Sequence, residues 1–310
     1  FEMKILLVTN KTLSNGSAEW MDGGHWNFYL PLLDLGHEVY FYDTVKGDAR
    51  SFSKIVDDFK PELIFCCMTG DRSLTPREPW EGIINETQKG NCKTFNWFCD
   101  DTWRFESFSG PVCDSFYACS TTEPDYIKKF KDIGYDNIIV GGWHTNHTFY
   151  PQEEVEKKYD IVFIGQMNNP DRNRYIEYLK QNNLNVKNFH GLEHKDMLQK
   201  LSESRIGINF SKNYNGQPPV LQMKLRPFEI AAANNTLVLS EYHIGLEYFF
   251  EIDKEIVCFK GPTEMAKKAE ILLKNDTLRE NIATNGNKRY LREHSSHKRM
   301  KHIIEELSRL

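Results

Sequence analysis

The chain has 310 residues, and at roughly 150 residues per domain that length predicts two domains, each with its own core. Hydrophobic residues make up 40% and charged residues 27%, which excludes a disordered chain; the formal net charge of −5 argues against a broad phosphate-backbone footprint. The longest apolar runs, Lys4–Thr9 and Pro61–Met68, are strand-length and fall well short of the roughly 20 residues that cross a bilayer.

No basic, apolar leader opens the chain. Phe1 and Glu2 precede Met3, which reads as the natural start, and a cytoplasmic protein with no membrane span is expected. The seven cysteines include no Cys-x2-Cys pair, which predicts buried, reduced thiols.

The first half alternates apolar runs with stretches at helical spacing. Strands are expected at Met3–Val8, Glu38–Tyr42, Leu63–Cys67, Lys93–Phe98, Ser115–Cys119 and Asn137–Val140. Helices are expected at Trp26–Leu35, with Pro31 as a kink, and at Phe52–Phe59, Trp80–Thr87 and Glu123–Ile133. The polar, aperiodic stretch from Gly141 to Glu154 reads as a linker. A second series follows, with strands at Asp160–Ile164, Asn185–Phe189, Ile206–Phe210, Thr236–Leu239 and Glu255–Phe259. Its helices are expected at Asp171–Gln181, Asp196–Ser204, Leu221–Ala233 and Thr263–Leu273, before two closing helices at Thr277–Tyr290 and His297–Leu307. This alternation predicts an α/β chain with two parallel, Rossmann-like sheets, residues 1–145 and 146–310. Ligands of such sheets sit beyond the carboxyl ends of the strands.

Four segments at those ends could carry chemistry. The loop from Val8 to His25 places Gly23 and Gly24 before a helix, where backbone can approach a phosphate; a flexible turn is the plainer alternative. His25 is placed to act as general base on a hydroxyl, or to be a structural histidine. Asp100 and Asp101 follow the fourth strand as candidate proton acceptors or hydroxyl ligands, with Trp97, Trp103 and Phe105 as stacking surfaces; a helix cap with core aromatics would look the same. Gly165 and Arg172 form a strand–Gly–loop–helix segment. An arginine in a helix's first turn opposes the dipole, so a phosphate or plain solvent would account for it. Lys224, Arg226 and Glu229 stand at a helix start, as ligands of a diphosphate and a ribose diol or as an intrahelical ion pair. The sequence contains neither Gly-x-Gly-x-x-Gly nor Asp-x-Asp, and no His/Cys cluster at zinc spacing, so no metal site is expected.

These residues carry a resemblance. The Gly23-Gly24 loop, the run Gly36-His37-Glu38-Val39, the Phe149-Tyr150-Pro151 junction, Arg226-Pro227-Phe228-Glu229 and Glu293-His294 fall in the order found in GT-B-fold glycosyltransferases. The chain is most similar to the CgeB-like, glycosyl transferases group 1 type. The resemblance implies two Rossmann-like domains facing across a cleft, with the C-terminal helices packing back toward the N-terminal domain. It implies an acceptor-side domain first and a nucleotide-sugar-binding domain second. The implied reaction is metal-independent transfer from a nucleotide-diphosphate sugar, UDP-sugar above all, to a hydroxyl. No cofactor is implied beyond the sugar nucleotide as co-substrate. Glu229 matches the donor-ribose glutamate, Arg226 and the Gly165–Arg172 loop the diphosphate region, and Gly23 and Gly24 the loop facing the phosphates. Many retaining relatives carry Glu-x7-Glu, but the position eight residues before Glu229 is Leu221, so neither retention nor inversion is assigned. The acceptor could be a polysaccharide, a protein, a small molecule or a hydroxylated DNA base. A non-catalytic nucleotide-sugar-binding or assembly protein on the same fold is the rival reading; a nicotinamide-dependent or epimerase-type enzyme is disfavoured by the missing glycine fingerprint.

Overall fold

The computed structural model describes residues 2–15, 18–151, 153–167, 169–216 and 218–310. Phe1, Gly16 and Ser17 of the first long loop, Gln152 of the expected linker and Asn168 of the Gly165–Arg172 loop lie outside them. The chain divides into two compact units. One comprises Phe1–Gly142, Asn215–Gln217 and Ser296–Leu310; the other comprises Trp143–Tyr214 and Pro218–Ser295.

The first unit contains the strands β1 (Lys4–Thr9), β2 (Thr12–Asn15), β3 (Ala18–Met21), β4 (Glu38–Asp43), β5 (Leu63–Cys66), β6 (Lys93–Trp97), β7 (Ala118–Thr121) and β8 (Ile138–Val140). Its helices are α1 (Leu30–Asp34), α2 (Phe52–Phe59), α3 (Trp80–Lys89), α4 (Asp101–Arg104), α5 (Gly110–Val112) and α6 (Ile127–Asp132). A parallel sheet runs in the order β4-β1-β5-β6-β7-β8, and β2 pairs with β3 as a separate hairpin. One sheet face buries Leu6, Val8, Ile64 and Cys66 with Ile55 of α2, Ile83 of α3 and Phe130 of α6. On Phe65 and Trp97 sits the Phe28 ring, edge-on to both. Strands covered on both faces become continuous apolar runs, which is why they stand out in the sequence. Residues Gly24–Tyr29 wind as a π-helix that runs directly into α1, so Pro31, with no N–H to donate, lies inside one continuous helical run.

The second unit contains β9 (Tyr159–Ile164), β10 (Val186–Phe189), β11 (Ser204–Asn209), β12 (Lys212–Asn213), β13 (Val220–Leu221), β14 (Leu237–Glu241) and β15 (Val257–Phe259). Its helices are α7 (Pro170–Gln181), α8 (His194–Ser202), α9 (Arg226–Ala232), α10 (Leu246–Phe249), α11 (Pro262–Lys274) and α12 (Asp276–Arg289). The parallel sheet order is β10-β9-β11-β14-β15, and β12 with β13 forms an antiparallel hairpin. The helix expected from Leu221 starts only at Arg226: Leu221 is a strand residue, and Pro227 in the first turn of α9 marks the start.

The last helix, α13 (Ser296–Arg309), belongs to the first unit. His297 Nε2 meets the Asp34 carboxylate at 2.9 Å, and Lys93 Nζ donates to the Leu307 carbonyl at 2.5 Å. Among the described residues no helix is long and apolar enough to cross a membrane.

Candidate functional site

In open parallel sheets the ligand crevice lies beyond the carboxyl ends of the strands, where the strand order reverses. That point falls between β1 and β5 in the first unit and between β9 and β11 in the second.

In the first unit, Asn10 follows β1 and donates through Nδ2 to the Asp22 carboxylate; the Asp22 carbonyl accepts from the His25 N–H at 2.9 Å. Gly23, Gly24 and His25 are thereby held at the carboxyl end of β1. The two glycines differ. A Cβ on Gly24 would fall 2.2 Å from the Asn10 carbonyl oxygen, whereas one on Gly23 would meet nothing nearer than 3.5 Å. Gly24→Ala is therefore expected to cost roughly 1–3 kcal/mol by overpacking against backbone. Gly23→Ala should unfold thermally much like the parent, and equal losses in Tm would refute the distinction.

His25 is half-buried. Its Nδ1 is shielded from water and has no hydrogen-bond partner, and burial followed by the charge of Lys11 lowers its pKa. At pH 7 it is a neutral imidazole suited to accepting a proton. Beyond β5, the Glu78 carboxylate accepts from the N–H groups of Thr69 at 2.6 Å and Gly70 at 2.9 Å, and Arg104 donates to the Thr69 carbonyl. Beyond β6, half-buried Asp100 adopts a left-handed backbone, φ 63°, immediately before α4.

Three of the expected acceptor-side residues are core instead. Asp101 is fully buried; Oδ1 accepts from Ser109 Oγ at 2.5 Å and Oδ2 from Thr121 Oγ1, and burial pushes its pKa up to about 6. Two hydroxyls satisfy the carboxyl, which is what allows it inside. Trp97 is buried and donates to the Gly142 carbonyl at 3.2 Å. Phe105 packs edge-on against Phe130, ring centres 4.9 Å apart. Trp103 stays half-buried: its indole N–H has no partner, and the Arg104 guanidinium lies 5.6 Å from its ring centre.

In the second unit, the Gly165 N–H donates to the Phe189 carbonyl at 2.8 Å as the chain leaves β9. Asn169 caps α7, accepting from the N–H groups of Asp171 and Arg172. Arg172 folds back so that Nη1 donates to the Gln166 carbonyl at 3.1 Å and the guanidinium lies 5.6 Å from the Phe163 ring centre. Its Nε is shielded and unpartnered, and among the described residues no carboxylate pairs with it. Burial first and the charge of Arg226 second lower its pKa, so two guanidinium charges share one region.

Arg226 pairs with Glu229 at 2.7 Å, the intrahelical alternative raised by the sequence, and Nη1 also lies 2.8 Å from Met197 Sδ. Glu229 is buried, and the Tyr150 hydroxyl donates to its backbone carbonyl at 2.8 Å. Lys224 is half-buried in the segment before α9, where its charge bears on His243; burial lowers that histidine's pKa to about 4.

Sequence reasoning missed Glu241, Lys212 and Tyr214. Glu241 closes β14 and accepts from the N–H groups of Ser211 at 2.9 Å and Lys212 at 3.0 Å. Glu241 is the last residue of β14, Lys212 and Tyr214 come shortly after β11, and strand ends alone would have marked them. Among the described residues, no group of three or more His, Cys, Asp or Glu side chains is placed to hold a metal ion.

The family model described as glycosyl transferase-like matches residues 149–305. No curated protein matches the sequence. Among solved structures, HepE of Anabaena in complex with UDP and glucose aligns with a TM-score of 0.65 at 12% identity, covering 99% of this chain and 100% of that one. AviGT4, a glycosyltransferase involved in avilamycin A biosynthesis, gives 0.63 at 13% identity over 99% and 98%. Sucrose-phosphate synthase of Thermosynechococcus elongatus gives 0.62 at 12% over 98% and 99%. Likeness at these identities is likeness of fold, and the fold is GT-B.

Proposed function

Because the chain belongs to the glycosyl transferase-like family, we propose that it moves a sugar from a UDP-sugar to a hydroxyl acceptor. The observation that carries this reading is Arg172, which feels the charge of Arg226 near the strand-order reversal of the second sheet and which no carboxylate among the described residues pairs with. Two guanidinium groups in a partly shielded region favour a polyanion, and the departing nucleoside diphosphate is where negative charge grows in the transition state. HepE, which holds UDP and glucose on a similar fold, supports UDP as the nucleotide.

In this reading Arg172, Arg226, Lys224 and the Gly165 turn bind the diphosphate. Glu229 has one oxygen committed to Arg226 and offers the other to the ribose. His25, a neutral imidazole, takes the acceptor proton while Asp100 orients the hydroxyl. No metal takes part, in keeping with the absence of Asp-x-Asp. The test is calorimetric titration with UDP beside an assay of UDP release from UDP-sugars with and without EDTA. Arg172→Ala should weaken UDP by about tenfold or more, the worth of one charge-assisted contact. Unchanged UDP affinity in that variant would overturn the donor site, and loss of activity in EDTA would overturn metal independence.

A further inference from the structure

We propose that Lys212 is a third cation for the donor's diphosphate and that Asp171 is the residue that positions it, an inference resting on the donor site just described. Asp171 and Arg172 are neighbours in the first turn of α7. Asp171 Oδ2 accepts from Lys212 Nζ at 2.7 Å and from the Tyr214 hydroxyl, and Oδ1 lies 3.3 Å from Arg174. The ammonium is therefore anchored on the first turn of α7, the turn that also carries Arg172.

The backbone fixes the same placement from the other side. Lys212 opens the β12–β13 hairpin, paired with Leu221, and its N–H and that of Ser211 are held by the Glu241 carboxylate. Lys212 and Arg172 both bear on Glu241 electrostatically, and Tyr214 bears on Arg172, so these groups share one field.

The ammonium meets both Asp171 and Tyr214: it donates to the carboxylate, shares a hydrogen bond with the Tyr214 hydroxyl and lies 5.5 Å from that ring's centre. An ammonium has three donors, so one remains for a solute oxygen. Arg174 and Lys212 share the one carboxylate of Asp171, Arg226 has Glu229, and among the described residues Arg172 pairs with no carboxylate. An excess of positive charge remains for an anion. Lys212 is also partly exposed, so its ammonium can meet a solute without moving the fold.

The experiment is calorimetry of UDP and UMP on the full chain, with donor KM and kcat beside it. Lys212→Met should weaken UDP about tenfold and UMP less, because the second phosphate supplies the contact. Lys212→Arg should restore most of the affinity. Asp171→Asn should raise the donor KM with little change in kcat, and should add no further loss in the Lys212→Met background. A merely structural Asp171 would lower the melting temperature and leave that split unmoved. If Lys212→Met binds UDP like the wild type while Arg172→Ala does not, Lys212 is no phosphate ligand and the donor site stands. If Arg172→Ala also binds UDP like the wild type, or the wild type binds none, the donor site itself is wrong.

Discussion

Asp101→Asn should gain about 2.5 kcal/mol of stability relative to the wild type as the pH rises from 4 to 7. Burial holds the Asp101 carboxyl at about 6, against an ordinary 3.8, despite hydrogen bonds from Ser109 and Thr121 that favour the ionised form. Two pKa units at about 1.36 kcal/mol each, less the part already lost by pH 4, give the magnitude. Between pH 4 and 6 the folded protein keeps a proton that the unfolded chain has released. Asp101's stabilising contribution is therefore complete below the unfolded pKa and is lost as pH climbs through 6. An asparagine has no proton to lose, and Ser109 and Thr121 hydroxyls can each donate or accept, so the amide can be satisfied in the same place. Urea unfolding of both proteins across this range provides the measurement, since the other titrating groups cancel in the difference. Parallel stability curves would mean that Asp101 ionises as an ordinary surface carboxylate.

Asp101 also marks where the sequence stops being legible. The doubly covered strands could be read directly, because burial on both faces leaves runs such as Ile5–Val8 with no polar interruption. The positions of Gly24 and Arg172 could be read from chain order, since each lies in a segment that follows a parallel strand at its carboxyl end. What composition cannot tell is which way a side chain turns once the backbone leaves the strand. Phe105–Ser109 winds as a π-helix, which carries Ser109 onto Asp101 and Phe105 onto Phe130. A polar pair and a row of aromatics look alike on a ligand wall and in a core. The β12–β13 hairpin was missed for another reason: each of its strands is two residues long, and its order depends on contacts from Glu241 and Asp171, some thirty residues after and forty before it. No local period records such contacts.

Arg226→Ala is expected to destabilise the protein more than Glu229→Ala, although both break the same 2.7 Å pair. The asymmetry comes from exposure. The Glu229 side chain is 6% exposed and that of Arg226 is 22%. Removing the arginine strands a carboxylate with almost no water, a loss of about 3–5 kcal/mol for a buried pair. Removing the glutamate leaves a guanidinium that still reaches solvent and Met197, at a cost nearer 1–2 kcal/mol. The double variant should recover part of the loss, because no charge is left unpaired. That recovery separates folding from function. Arg226→Ala alone would lose UDP whether the arginine binds phosphate or only shields Glu229. In the double variant the shielding problem is gone, so a persistent loss of UDP affinity in a folded protein belongs to the missing phosphate contact or to the missing ribose contact of Glu229. Glu229→Ala alone reports the second, and subtracting it isolates the first. Urea unfolding and UDP calorimetry on the three variants decide the matter: UDP affinity equal to wild type in the double variant would remove both residues from the donor site.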